Sequence, residues 1–464
     1  MNDVSKSNVK VRFAPSPTGN LHIGSVRAAL FNWLFARHHK GTFLVRIEDT
    51  DLERSKQEFA DSIISSLEWL GMQSDEPIIY QSNFTEKYRA YVEKLLSEGK
   101  AYKCYCSPEE LEQRLGEGEK YDQRCRACSM PGDKPFVVRF RLPDDREVVT
   151  FHDLILGDIT TPISQLDDFI IARSDGSPVY NFVVVIDDAT MNITHVIRGQ
   201  EHINNTPKQI LLYEALGFSI PQFAHIPLIL GKSGAKLSKR DAATSVLVYK
   251  EEGYLPEALI NYLARLGWSH GDQEIFTIEE LVRDFSLDGV GKSNATFDME
   301  KLRWVNSEHI KKKTSAWLLN YVVQELDNHF LNKLDAWSSE QIVALIDLYK
   351  ERVMTVRELY DALIALYNKP AVYNHEAVQQ WINEDAKINL SLLIELLKNL
   401  TEWHEASLES TIKQFVKNRE IKLASIAQPI RIALTGNITS PGIFHLLTIL
   451  GKKESFSRIE ALIK

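Results

Sequence analysis

The chain has 464 residues, 63 acidic against 54 basic, and a net charge of −9. That length exceeds what one hydrophobic core serves, so about three domains are expected. An apolar share of 44 % and a charged share of 25 % are those of an ordinary soluble globular protein, and no apolar run approaches the ~18 residues of a membrane span.

Residues 1–10 are polar and lack the apolar core of a secretory leader, so a cytoplasmic protein with no membrane partner is expected. The negative sum does not exclude nucleic acid, because partner choice follows where charges lie. Lys311-Lys312-Lys313 and the group Lys413, Lys417, Arg419 and Lys422 read either as solvated helix faces or as basic contacts.

Residues 9–13 are β-branched and apolar and read as a first strand. Residues 24–39 read as a helix, with Val26, Leu30 and Leu34 near helical spacing and Gly41 as the stop. A second strand follows over Thr42–Ile47, ending in Glu48-Asp49-Thr50-Asp51, and Ile63, Leu67 and Leu70 mark another helix closed by Gly71. This β-α-β-α order predicts a doubly wound parallel sheet. The sheet is expected to resume at 180–186, a nearly all-apolar run that reads as a strand buried on both faces. Residues 194–197 and 223–230 read as further strands, and Thr206-Pro207 opens a helix that Gly217 ends.

The segment between has a different texture. Residues 81–178 hold all four cysteines and strand-like runs such as 136–142, and read as an α+β domain inserted into the Rossmann-like unit of 1–80 and 179–240. From about Pro256 the pattern is helical: Leu259-Ile260, Leu263 and Leu266 form one stripe, Ile342, Leu345-Ile346 and Leu348 a second, and Leu390, Leu393, Ile394 and Leu396-Leu397 a third. A boundary is placed near residue 310, dividing 241–310 from an all-helical 311–464.

Two short segments carry the chemistry. One is Arg12-Phe13-Ala14-Pro15-Ser16-Pro17-Thr18-Gly19-Asn20-Leu21-His22-Ile23-Gly24, at the junction of the first strand and helix. A helix N-terminus offers unpaired N–H groups and partial positive charge to a phosphate, and glycine lets the backbone approach it. His22 can hydrogen-bond phosphate oxygens as charge shifts, and Pro15 and Pro17 stiffen the approach. The other is Lys236-Leu237-Ser238-Lys239-Arg240, whose Lys236 and Lys239 can neutralise a pentacovalent α-phosphate and a leaving pyrophosphate. Gly231, Ser233 and Gly234 suggest a loop that closes on ATP. Either segment alone is commonplace. Together they follow strands of one sheet, where the ligand crevice of open α/β sheets lies.

These segments, with Val45-Arg-Ile-Glu-Asp-Thr-Asp51, Val196-Ile-Arg-Gly199, Phe297-Asp-Met-Glu-Lys-Leu-Arg-Trp304 and Ala427-Gln-Pro-Ile-Arg-Ile-Ala-Leu-Thr-Gly436, resemble bacterial-type glutamyl-tRNA synthetases, which are class I aminoacyl-tRNA synthetases. The resemblance runs the length of the chain and implies a Rossmann-like catalytic domain, an inserted acceptor-end-binding domain, an all-α stem-contact domain over 241–310 and an anticodon-binding region over 311–464. A glutamine-type synthetase would instead carry β-barrels in the tail.

The resemblance implies ATP-dependent activation of L-glutamate with Mg2+, a first step that needs bound tRNA, and transfer to tRNA-Glu, with tRNA-Gln open and a monomer expected. It implies His22, Lys236 and Lys239 as catalytic, and Pro15, Gly24, Glu201, His202, Lys236 and Lys239 as ATP-binding. Arg12, Ser16, Glu48, Tyr180 and Arg198 match the glutamate pocket: arginines pair carboxylates bidentately and Glu48 suits the α-ammonium group. Without the resemblance, Arg12 and Arg198 read equally as surface arginines.

Cys104-x-Cys106 and Cys125-x2-Cys128 are two close thiol pairs, which in a reducing compartment suggest structural zinc, or else unmetallated thiols. Tyr121 is a possible substitute ligand. Arg431, Ser440 and Pro441 match tail positions that face the anticodon, and the turn they close reads equally as helix capping.

Overall fold

A computed structural model describes residues 8–51, 54–116, 120–127, 134–235, 237 and 245–464. Two compact units divide the chain, Met1–Val248 with Pro256–Val305, and Tyr249–Leu255 with Asn306–Lys464.

In the first unit, β1 (Lys10–Phe13) leads into α1 (Ile23–His38). Helix α1 is capped by His22 and has almost no solvated face, because it packs on β1 and on residues Pro256–Arg265 and Ile278–Asp284. A helix apolar all round is a buried helix. Strand β2 (Thr42–Ile47) pairs parallel with β1, from Lys10↔Thr42 to Phe13↔Val45. Helix α2 (Gln57–Trp69) buries Ile63 and Leu67, and β3 (Ile79–Tyr80) adds parallel to β2. Helix α3 (Thr85–Ser97) then leads to β4 (Ala101–Cys104), and Ser107 and Glu110 form a capping box on α4 (Pro108–Leu115).

Strand β5 (Val137–Phe140) pairs antiparallel with β4. A hairpin follows, β6 (Val148–Asp153) and β7 (Gly157–Pro162), and then β8 (Ile170–Ala172) pairs antiparallel with β5. Helix α5 (Tyr180–Thr190) comes next. The apolar run 180–186 is therefore the start of a helix and not a strand. A run buried on every side shows no periodicity by which the two can be told apart.

Strand β9 (His195–Gly199), α6 (Thr206–Leu216) and β10 (Gln222–Ile226) follow, and β9 and β10 belong to a four-stranded sheet, β7-β6-β10-β9, beside the three-stranded β1-β2-β3. Gly217 ends α6 at φ 73°, a left-handed conformation that favours glycine. The strand expected over 223–230 is broken at Pro227. Its second part, β11 (Ile229–Leu230), pairs instead with β12 (Ala295–Thr296).

Strands β9 and β10 are parallel, from His195↔Gln222 to Gly199↔Ile226, and β10 continues to β6 at Phe223↔Asp153. The β6–β7 hairpin, inside the segment read as an insert, thus extends the β9–β10 sheet, while β4, β5 and β8 form a separate antiparallel one. Beside β1, Thr194 N–H donates to Lys10 O at 2.9 Å and brings β9 alongside. The chain leaves β1 toward β2 and β3 on one side, and leaves β9 toward β10 on the other. The switch point lies between β1 and β9, and ligands bind at the carboxyl ends there.

The second unit contains no strand among its described residues. Thr314, Ser338, Thr355, Asn374, Asn383 and His404 each cap a helix by accepting a backbone N–H. Ile342, Leu345 and Ile346 are buried, as are Leu390, Leu393, Ile394 and Leu397, whereas Leu396 is exposed. No described helix is long and apolar enough to cross a membrane.

Just before β2, Gly41 lies close against Val9 at the neighbouring strand's start. A Cβ there would lie 2.4 Å from Val9 O and 2.9 Å from Val9 Cβ. Gly41→Ala is expected to destabilise the fold by about 1–3 kcal/mol, the cost of overpacking, read as a lower urea midpoint. An unchanged midpoint would mean that the strand start yields freely.

Candidate functional site

A cavity of about 400 Å3 opens at the carboxyl ends of β1 and β9. Its lining comes from the loop from β1 to α1, the ends of β2 and β9, the start of α5 and residues 226–229. Ten expected residues share it: Arg12, Pro15, Ser16, His22, Gly24, Glu48, Tyr180, Arg198, Glu201 and His202. Leu237, the one described member of the basic pentapeptide, also lines it. Lys236 and Lys239 lie outside the described residues, as does Cys128.

His22 Nδ1 accepts the Ser25 N–H at 3.3 Å, and its Nε2 stands 3.2 Å from the Ser25 hydroxyl. The ring lies over Gly24, where a Cβ would be 3.3 Å from ring atoms. A larger residue at 24 would press on the imidazole at the helix N-terminus. Gly199 is more constrained: a Cβ there would lie 2.2 Å from the Glu201 carboxylate.

Beneath the cavity lies a buried charge cluster. Arg12 Nε and Nη2 each donate to Asp188 at 3.1 Å, a bidentate pair that leaves Nη1 over. Arg46 Nη1 donates to Asp188 at 2.7 Å and its Nη2 to Glu48 at 3.2 Å. Gln81, Lys87 and Tyr88 all donate to Asp187. Burial would raise the Asp188 carboxyl, but Arg12 and Arg46 hold it below the usual carboxylate range. Burial pushes Glu48 up, with Arg46 and Arg12 opposing.

Arg198 is different. It is 6 % exposed, and its partners are neutral acceptors: His225 Nε2 at 3.2 Å, Thr206 Oγ1 and Gln209 Oε1 at 2.9 Å, and His202 O at 3.5 Å. Its Nη1 is buried without a hydrogen-bond partner, and no carboxylate of the described residues pairs with it. Burial pushes its pKa down. A buried cation lacking a counter-charge is costly, and an incoming carboxylate relieves that cost.

The sequence reading missed Arg46, Asp187, Asp188, His225 and Asp153. Arg46 stood inside an apolar strand, Asp187-Asp188 closed an apolar run, and His225 sat among apolar neighbours. A charged or titratable group in a buried run signals a buried partner.

Elsewhere, the sulfurs of Cys104, Cys106 and Cys125 lie within 4.8 Å of one another. The Cys104 thiol donates to the Tyr121 hydroxyl oxygen at 3.3 Å, and the Cys125 N–H donates to the same oxygen at 2.9 Å. In the second unit, Arg431 Nε donates to Ser440 Oγ at 3.0 Å, and Ser440 Oγ donates to Pro441 O at 2.8 Å.

Burial, and then Arg198, push His202 down from 6.5 to about 4. Between those values the unfolded chain binds a proton that the folded chain does not. Its contribution to stability is therefore full above the unfolded value near ~6.5 and is lost as pH falls toward the folded one. Urea unfolding is expected to show lower stability at pH 5 than at pH 7, with a smaller difference in His202→Gln. Equal differences would remove His202 as a source.

Comparison with known proteins places these features in a family. Residues 8–304 match the family described as tRNA synthetases class I (E and Q), catalytic domain, and residues 313–463 match an anticodon binding domain. A glutamate–tRNA ligase of Thermodesulfovibrio yellowstonii is 48 % identical over 462 residues, covering 98 % of this chain and 99 % of the relative. One of Geobacter sulfurreducens is 47 % identical over 464 residues, with 98 % and 99 % covered. The crystal structure of a glutamate tRNA ligase from Elizabethkingia meningosepticum, in complex with its amino acid, superposes with a TM-score of 0.88 at 33 % identity, covering 98 % of this chain and 99 % of that one. On a catalytic-domain match across 8–304 and relatives near half identical along their whole length, the chain belongs to the class I tRNA synthetases of the E and Q type.

Proposed function

We propose that this chain is a glutamate–tRNA ligase. The observation that carries the reading is Arg198, a residue of the cavity lining whose buried guanidinium has neutral partners and an unpaired Nη1. A glutamate side chain supplies the missing negative charge. Glutamine, of the same shape, leaves the cation without its counter-charge. Relatives named for glutamate along the full chain support the same choice.

In this reading Arg12, through Nη1, and Arg198 receive the two carboxylates, Glu48 the α-ammonium group, and Ser16 and Tyr180 further hydrogen bonds. ATP with Mg2+ lies along the first loop, its phosphates at the N-terminus of α1 beside His22, Gly24 and Pro15, and its nucleoside near Glu201 and His202. An oxygen of the glutamate α-carboxylate attacks the α-phosphorus, and the bond to the bridging oxygen breaks as pyrophosphate leaves. His22, Lys236 and Lys239 stabilise the charge on the transferring group. A ribose hydroxyl at the 3′ end of tRNA-Glu then attacks the acyl carbon, and AMP leaves.

The domain roles are proposals of the same kind: 1–80 with 179–240 catalytic, 81–178 holding the acceptor end, 241–310 the stem and 311–464 the anticodon, with Arg431, Ser440 and Pro441 at the anticodon. We place the enzyme in the cytoplasm as a monomer, with tRNA-Gln a further acceptor to be tested.

Structural zinc fits the thiol cluster. Cys104, Cys106 and Cys125 would hold it, with Tyr121 or Cys128 completing four ligands. The Tyr121 oxygen already touches one thiol and the backbone N–H of a second cysteine, and tyrosinate is a hard fourth donor within reach. The metal would tie β4 to the 3-10 turn Arg124–Ala127.

Pyrophosphate exchange with ATP tests the function. Exchange is expected with glutamate and tRNA-Glu together, and not with glutamine. Exchange with glutamine, or none with glutamate plus tRNA, would overturn the reading. Lys239→Ala is expected to slow adenylate formation by at least ~100-fold, the scale of losing one transition-state donor. A near-normal rate would take Lys239 off the catalytic list. Elemental analysis is expected to find one zinc per chain and a loss of it in Cys125→Ser. Metal-free purified protein with full tRNA affinity would argue for plain thiols.

A further inference from the structure

Arg198 is held by a pair of residues that lie outside the cavity wall. His225 on β10 and Asp153 at the end of β6 are both fully buried, with Nδ1 of the first 2.6 Å from Oδ2 of the second. A carboxylate only accepts, so Nδ1 carries the hydrogen. Nε2 is then a lone pair. It faces Arg198 Nε at 3.2 Å, and a guanidinium only donates. Each donor thus meets an acceptor from Asp153 through to Arg198. The Thr206 hydroxyl, 3.2 Å from the same Nε2, also receives an Arg198 N–H. Asp153 is itself fixed, since its Oδ1 accepts the N–H groups of Ile155 at 3.0 Å, Leu156 at 2.9 Å and His225 at 3.3 Å.

We propose that Asp153 and His225 are positioning residues for amino-acid selection: they lock the Arg198 guanidinium in place by a neutral imidazole, so that its charge stays available to the substrate side chain. A carboxylate in direct contact would orient the arginine equally well, but it would also neutralise it and favour an amide ligand. The imidazole places the carboxylate one ring away and separates the two effects. Burial lowers His225 in the direction that keeps this ring neutral. The inference rests on the reading of the site as a glutamate pocket.

Asp153→Asn gives a sharp test. The Asn oxygen keeps the three backbone N–H groups, so its amide nitrogen faces His225 Nδ1. A donor there forces the hydrogen to Nε2, which then confronts the Arg198 N–H donor to donor. In charging of tRNA-Glu, KM for glutamate is expected to rise on the order of 10- to 100-fold, the loss of a hydrogen bond to a charged group. KM for ATP is expected to hold, and the preference for glutamate over glutamine to narrow. His225→Leu is expected to behave like Asp153→Asn. His225→Gln, whose side-chain oxygen can accept from Arg198 Nε, is expected to recover most of the glutamate affinity.

An unchanged KM for glutamate in a folded Asp153→Asn would overturn the inference. So would a parallel rise in the glutamate and ATP constants with a lowered melting temperature, which marks a structural role alone. If Asp153→Asn does not fold, the His225 pair decides: equal glutamate KM in the Leu and Gln variants overturns the proposal, and recovery in Gln alone supports it. Failure of the parent enzyme to charge tRNA-Glu overturns the functional reading instead.

Discussion

The clasp of Arg12 and Arg46 on Asp188 is the constraint on which the site depends. It joins β1, β2 and α5, three elements far apart in sequence, at the floor of one cavity. All three side chains are almost completely buried. Removing one partner of such a cluster strands a charge in a dry interior, at a cost of about 3–5 kcal/mol, although an apolar replacement of all three need cost nothing. The cluster is therefore better explained by placement than by stability. It fixes Arg12 by two nitrogens and leaves the third, and it sets Glu48 through Arg46. The substrate groups in the proposed reading are thus aimed before anything binds, which is what preorganisation requires.

Charge balance within the cluster sharpens the role of Arg198. Arg12, Arg46 and Lys87 meet Asp187, Asp188 and Glu48, three cations against three anions. Arg198 stands apart from that balance among neutral acceptors. A pocket floored by a cluster whose buried anions are already matched, with one buried cation over, discriminates by charge and not by shape. Shape alone separates near-isosteric ligands poorly, whereas an unpaired buried group rejects the wrong one strongly.

Much of this was legible in the sequence wherever local chemistry decides the outcome. The loop from Arg12 to Gly24 and the parallel β1–β2 pair both follow from residues close together in the chain. Gly24 looked like tolerance for a ligand. In the structure it also makes room for the imidazole of His22, as Gly199 does for the carboxylate of Glu201. What failed to show was set by distant partners. Residues 180–186 are apolar on every side, and only their packing makes them a helix. That helix then delivers Asp187 and Asp188 to the arginines; two acids closing an apolar run signal buried partners, but which partners is set by the fold. Pro227 removes a donor and breaks what reads as one strand into two that serve different partners.

The β6–β7 hairpin carries the same lesson into function. By texture it belongs to the segment inserted between the halves of the sheet, and by hydrogen bonding it is the sheet's edge. Asp153, the last residue of β6, reaches Arg198 through one imidazole. A segment proposed to hold the acceptor end of tRNA therefore also supports the side chain proposed to choose the amino acid. Nothing needs to move for that link to operate, because a fixed hydrogen-bond direction is passed from carboxylate to ring to guanidinium. The selectivity of the pocket then depends on where one proton sits on His225, which no contact with the substrate itself determines.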